Sequence, residues 1–220
     1  MDLFTNYVYA LPVFKHGPAN TSGLGITNLS PTETANVTVT VFQQDGRCVA
    51  TERKTLPARG QEAFVVGPEL TDDGWIRVAS DQPLAGVNFL GRFRGGNATD
   101  LVMGDVPFTR NLSTSLVIPH VAQDTTWDTT LFLANPNTVP ITATLVHTGR
   151  DGTASVPYGV SIPARGSREI QVGDIAGALV VDGGSVTINA SGGLAAFALY
   201  SNLKSGGSCF AGINAIDTDQ

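Results

Sequence analysis

Nucleophilic catalysis needs a serine or cysteine held within reach of a histidine and an acid, and its usual local signature is a strained turn such as Gly-x-Ser-x-Gly. The sequence carries no such turn. Its three histidines, His16, His120 and His147, share no spacing suited to a metal, so each reads as a surface or core histidine. Asp72-Asp73 with Asp100 or Asp105 offers the oxygen ligands that calcium prefers, but the Asp-x-Asp-x-Asp-Gly loop of a built site is missing and the acids read as solvated turns. A glycosidase carboxylate pair is open to the same objection, since its separation is a property of the fold. In Gly91-Arg92-Phe93-Arg94-Gly95-Gly96, glycines flank two cations that could cradle an anion; the alternative is a strand end flowing into a Gly-Gly-Asn turn. This is no Gly-x-Gly-x-x-Gly after a parallel strand, so dinucleotide binding has little support. Cys48 and Cys209 form neither a Cys-x-x-Cys nor a metal spacing. They are two separate thiols or, in an oxidising compartment, one clamp between the two ends of the chain. No cofactor is expected.

The elements that would position any of these groups follow from the rest of the chain. At 220 residues there is room for one large domain or two smaller ones. A net charge of -6 argues against a nucleic-acid surface, which needs clustered Lys and Arg. The longest apolar run, Leu194 to Tyr200, has the length of a strand, so no membrane insertion is expected. The first residues lack a basic and then apolar leader, so either there is no export signal or it has been removed.

An internal repeat governs the organisation. Leu11-Pro12 recurs as Ile118-Pro119, Asn28 as Asn135, Asp45-Gly46 as Asp151-Gly152, and Pro57-Ala58-Arg59-Gly60 as Pro163-Ala164-Arg165-Gly166. Gly74 to Val78 then falls on Gly184 to Ile188, and Leu84-Ala85 on Leu194-Ala195. The order is kept and the offset drifts by only a few residues. Within each half the period is two: Val37, Val39 and Val41 alternate with Asn36, Thr38 and Thr40, and Ile141, Ala143 and Leu145 with Thr142 and Thr144. Turn residues separate such runs at Ser30-Pro31-Thr32, Asp45-Gly46, Pro57 to Gly60 and Asp81-Gln82-Pro83. The expected fold is all-β: two tandem homologous antiparallel β-sandwich units, immunoglobulin-like, of seven to eight strands each, over residues 1–109 and 110–220. Only Pro68 to Asp73 and Val172 to Gly177 have room for a short helical turn.

The features Ile118-Pro119-His120, Trp127 to Pro136, Asp151-Gly152 and Ile162 to Gly166 resemble uncharacterised bacterial β-sandwich repeats of secreted or cell-surface proteins. The same order is similar to the small all-β transducer family that partners a cyanobacterial sensory rhodopsin, where an Asn strand end is followed by a Pro-Ala-Arg turn. These resemblances imply a sandwich and carry no catalytic residues. The secreted relatives imply an extracytoplasmic protein; the transducer family implies a cytoplasmic, oligomeric one with a suggested sugar-binding role.

Antiparallel succession puts alternate connections at one end of a sandwich. In the first half these are Lys15 to Thr21, Gln43 to Arg47, Gly67 to Gly74 and Arg94 to Asp100, longer than the Pro-rich turns opposite. Function concentrates on such loops. Trp75 and Trp127 lie near that end and have no aromatic counterpart in the other half, being matched by Ser185 and Asn20, so they are candidates to stack on a sugar or anchor a partner, with one-sided core filling as the alternative. The candidate binding residues are therefore Trp75, Arg92, Arg94 and Trp127. Arg59 and Arg165 recur at one turn and read as structural. Six Asn-x-Ser/Thr sequons, at Asn20, Asn28, Asn36, Asn97, Asn111 and Asn189, read as wet strand faces and turns more simply than as glycan acceptors. The expected function is a non-catalytic recognition or structural module contacting glycan or protein, with possible homo-oligomerisation through edge strands. The alternative is a sandwich hydrolase using Asp72, Asp73 or Asp100.

Overall fold

The computed structural model describes residues 7–71, 73–93, 101–110, 112–202 and 210–218. Strands dominate it, with several antiparallel sheets of β-sandwich character and one short helix. No helix among the described residues is long and apolar enough to cross a membrane. The chain divides into two compact units, Met1–Arg110 and Asn111–Gln220.

Unit 1 contains β1 (Tyr7–Phe14), β2 (Asn20–Asn28), β3 (Ala35–Gln43), β4 (Cys48–Leu56), β5 (Gln61–Val65), β6 (Gly74–Ser80), β7 (Leu84–Phe93) and β8 (Leu101–Pro107). They form two four-stranded sheets, ordered β1-β6-β3-β4 and β5-β2-β7-β8. The alternation read in β3 is the reason: Val37, Val39 and Val41 are each 1% exposed and join one core with Leu11, Ile76 and Val78 of their own sheet and Leu24 and Ile26 of the other. Burying an aliphatic side chain contributes roughly 1.5–3 kcal/mol, more than a typical hydrogen bond, so this stripe decides which face turns inward. Asn88 crosses that interior and donates from Nδ2 to the Val13 carbonyl at 3.0 Å, tying β7 to β1.

Unit 2 contains β9 (Ser113–Ile118), β10 (Asp128–Ala134), β11 (Ile141–Thr148), β12 (Tyr158–Ile162), β13 (Ser167–Gln171), α1 (Val172–Ala176), β14 (Ser185–Ser201), β15 (Phe210–Asn214) and β16 (Ile216–Asp217). The 17-residue β14 serves two neighbourhoods. Its first part pairs with β11 and β9, its last part with β10 and β15, and its register slips between Asn189 and Leu194. In unit 1 the corresponding stretch breaks at Asp81-Gln82-Pro83, where proline has no N–H for a ladder. Ser191-Gly192-Gly193 keeps its N–H groups and bends without ending the strand. The short turn expected at Val172 to Gly177 is helix α1, closed by Gly177 at φ 67°. Residues 68–69 form a turn only.

The Pro-rich turns are pinned from inside by asparagine. Asn28, 1% exposed, donates from Nδ2 to the carbonyls of Glu33, Leu56 and Pro57, and its Oδ1 accepts the Ser30 N–H. Asn135, 0% exposed, donates to Val139, Ile162 and Pro163 and accepts from the Asn137 N–H. Each turn holds an arginine in the left-handed region, Arg59 at φ 57° and Arg165 at φ 55°, whose N–H groups donate to the Ser30 and Asn137 carbonyls. The Asn28 sequon is thereby committed to the interior.

Candidate functional site

Three unit 1 connections, β1–β2, β3–β4 and β5–β6, come together in a cleft of about 800 Å³ whose lining includes His16, Asn20, Gln43, Arg47, Thr71 and Asp73. Each loop is fixed by its own bonds. Gly17 and Asn20 exchange N–H···O bonds of 3.1 and 3.3 Å, which tightens the first loop. At its base the buried Ser22 hydroxyl accepts the Lys15 N–H at 3.1 Å and donates to the Lys15 carbonyl at 3.0 Å. In the second loop Asp45 Oδ1 accepts the Arg47 N–H at 2.9 Å, an Asx turn, while the Arg47 guanidinium donates to Gln43 Oε1. Lys15 Nζ meets Asp73 Oδ2 at 2.9 Å and links the first loop to the third. The Asp73 carboxylate is 40% exposed, so this ion pair is worth only about 0–1 kcal/mol and mainly sets position. Gly74 is required where β6 begins, since a Cβ there would fall on the Phe42 carbonyl. The His16 ring stacks on Phe14 with centroids 6.3 Å apart.

This lining mixes donors and acceptors. Asn20 and Gln43 offer both kinds of group, Arg47 donates and Asp73 accepts, a set that matches a ligand rich in hydroxyls. No cluster of three His, Cys, Asp or Glu placed to hold a metal occurs among the described residues.

The matching loops of unit 2 border a second cleft, of about 570 Å³, lined by His147, Arg150, Asp151, Ser155, Val180 and Asp182 among others. His147 Nε2 lies 3.0 Å from the Gly183 carbonyl oxygen. The backbone N–H of Thr153, with its hydroxyl, holds the Asp151 carboxyl below the ordinary aspartate range. Beside this cleft, the N–H groups of Trp127 and Thr126 do the same for Asp124. Burial raises the Tyr200 phenol, whose hydroxyl donates to the His120 carbonyl.

Within unit 1, Trp75 and Arg92, the described binding candidates singled out from sequence, do not share one site. Trp75 is 0% exposed and stacks on Phe42, centroids 5.1 Å apart and planes 18° from parallel, so its indole offers no open face and the core-filling alternative describes it. Arg92 is exposed and pairs across β2–β7 with Asn20, one strand away from a lining residue. Trp127 is 40% exposed at the mouth of β10. Arg94, Asp72, Asp100 and Cys209 lie outside the described residues. Asp105 sits on β8 opposite Phe89, and the Cys48 thiol is exposed on β4, 3.7 Å from the Ala50 carbonyl. His16, Asn20, Gln43 and Arg47 were not individually visible; their only signal was membership of alternate loops, which antiparallel succession brings to one end.

No protein-family model matches the chain, and no curated protein matches it either. Among solved structures, the Anabaena sensory rhodopsin transducer is 16% identical, with 38% of this chain and 90% of that chain covered at a TM-score of 0.33. The PBSX exported protein XepA is 8% identical over 86% of this chain and 83% of its own, with a TM-score of 0.28. Isomalto-dextranase of Arthrobacter globiformis T6 is 14% identical over 86% of this chain and 35% of its own, with a TM-score of 0.25. All three scores are low, and the architecture rests on the chain's own strand pairings.

Proposed function

We propose that this chain is a non-catalytic recognition module made of two tandem, homologous, immunoglobulin-like β-sandwich units, working outside the cytoplasm and contacting a glycan through the polar cleft of unit 1. The duplication is supported by the shared bonding of Asn28 and Asn135, by the two left-handed arginines, and by the order of strand pairings, which repeats once β14 is counted as two strands in succession. The extracytoplasmic setting rests on the resemblance to secreted sandwich repeats.

The observation that carries the function is the convergence of three separately braced loops on a cleft of amide, carboxylate and guanidinium groups. Braced loops lose little freedom on binding, so weak hydroxyl contacts can add up to useful affinity. A glycan array comparing the wild type with Arg47→Ala tests the reading. Retention of one glycan class by the wild type, and its loss in the variant, is the expected result. A blank array, or release of reducing sugar that disappears in Asp73→Asn, would replace recognition by the hydrolase alternative or by another ligand.

A further inference from the structure

The connection between β13 and β14 is longer than the β5–β6 connection of unit 1, and it carries two of the three most exposed aliphatic side chains among the described residues of unit 2: Leu179 is 90% exposed and Val180 61%, with Val156 at 84% on the β11–β12 connection. Exposed apolar groups mark an interaction surface when several of them lie together on one patch. Leu179 and Val180 are held in place. Gln123 exchanges backbone bonds of 3.0 and 2.7 Å with Val181, its side-chain amide donates to the Leu179 carbonyl at 3.3 Å, and its Oε1 accepts the Gly173 N–H at 3.3 Å. Gly177 turns the chain at φ 67°, and the Ala178 N–H closes on the Gly173 carbonyl at 3.1 Å. Gly173 is required, because a Cβ there would come within 2.8 Å of the Ala178 carbonyl and against the Gln123 amide.

The same Gln123 loop presents Trp127, 40% exposed, braced by the Asp124 carboxylate, which accepts the Thr126 and Trp127 N–H groups at 2.6 and 2.7 Å. The surrounding charge is of one dominant sign. Asp124, Asp174 and Asp182 are exposed on these two segments, and Asp151 lines the same 570 Å³ cleft as Val180. Arg150 is the cation on that wall, 3.8 Å from Asp182 in a pair exposed to solvent.

We infer that the Leu179-Val180-Trp127 tip of unit 2 is a docking surface for a protein segment that is both apolar and basic, such as the Lys- or Arg-rimmed apolar face of an amphipathic helix. The apolar trio supplies the anchor, and the carboxylates select the partner's sign and speed its approach. An anionic membrane is disfavoured by the same carboxylates. The surface belongs to unit 2, so its fate is independent of the glycan reading for unit 1.

The test uses the full chain, labelled with ¹⁵N, and an amphipathic Leu/Lys peptide as probe beside its Leu/Glu counterpart. The expected result is that the Leu/Lys peptide alone shifts the amides of residues 123–127 and 174–183, and that added salt weakens binding. Val180→Asp, an exposed change that leaves the core intact, should weaken it about tenfold or more, as expected for an anchor residue. Asp124→Asn combined with Asp182→Asn should reduce the salt dependence. Shifts spread elsewhere, equal binding of both peptides, indifference to Val180→Asp, or Leu179-dependent partition onto phosphatidylcholine vesicles without peptide binding would each overturn the inference.

Discussion

Asn28 and Asn135 hold corresponding turns by the same bonds: each sends its amide to a strand-end carbonyl and to the proline carbonyl that follows, at 3.2 and 3.0 Å for Asn28 and at 3.3 and 2.8 Å for Asn135. Neither amide can be shortened without orphaning a buried strand-end carbonyl, that of Leu56 or that of Ile162. Replacement of either residue by Ala should cost about 2–4 kcal/mol of unfolding free energy. Denaturant unfolding of the two variants should give similar losses. A silent substitution at one site would break the equivalence of the two turns.

Arg59 stands in the left-handed region at φ 57° with its side chain exposed. A Cβ there is strained, and glycine removes the strain while adding freedom to the unfolded chain. Arg59→Gly should raise stability by about 0.5–1 kcal/mol, the smaller entropic cost being outweighed. A lower melting temperature would show that the guanidinium is needed at this turn.

The two tryptophans should behave oppositely. Trp75→Ala empties a fully buried site against Phe42 and should cost about 3–5 kcal/mol. Trp127→Ala removes a partly exposed ring and should stay within about 0.5 kcal/mol of the wild type. Fluorescence separates them further, because emission that is red-shifted and readily quenched by iodide should disappear with Trp127.

The Asp124 loop should respond to acid. Bonds from the Trp127 and Thr126 N–H groups lower its carboxyl in the folded chain. Its bracing is therefore present above the ordinary aspartate value and lost as pH falls through the lowered folded value. Amide shifts of Thr126 and Trp127 should move together in that acid range, and Asp124→Asn should abolish the step. Movement near neutral pH would point to another group.

Much of the fold was legible because period and turn chemistry are local. Val37, Val39 and Val41 marked the inner face of β3, and Asp45-Gly46 and Pro57 to Gly60 marked the ends of strands. The run through β14 was not legible, since whether Ser191-Gly192-Gly193 turns or merely bends depends on partners distant in sequence. Trp75 was open to either reading for a similar reason: its position near loop mouths is visible in one dimension, its packing against Phe42 is not. The exposure of Leu179 and Val180 is not legible in sequence either, because an aliphatic pair in a loop reads the same whether it folds inward or is held out beside Gln123.

We propose the unit 1 cleft as a binding surface for hydroxyl-rich ligands. ¹H–¹⁵N spectra of the full chain during titration with a panel of neutral oligosaccharides test it most directly. Saturable shifts are expected at His16, Asn20, Gln43 to Arg47, Thr71 and Asp73, lost in Arg47→Ala, with every sugar recovered intact. Shifts centred anywhere else, or cleavage of a sugar during the titration, would contradict it.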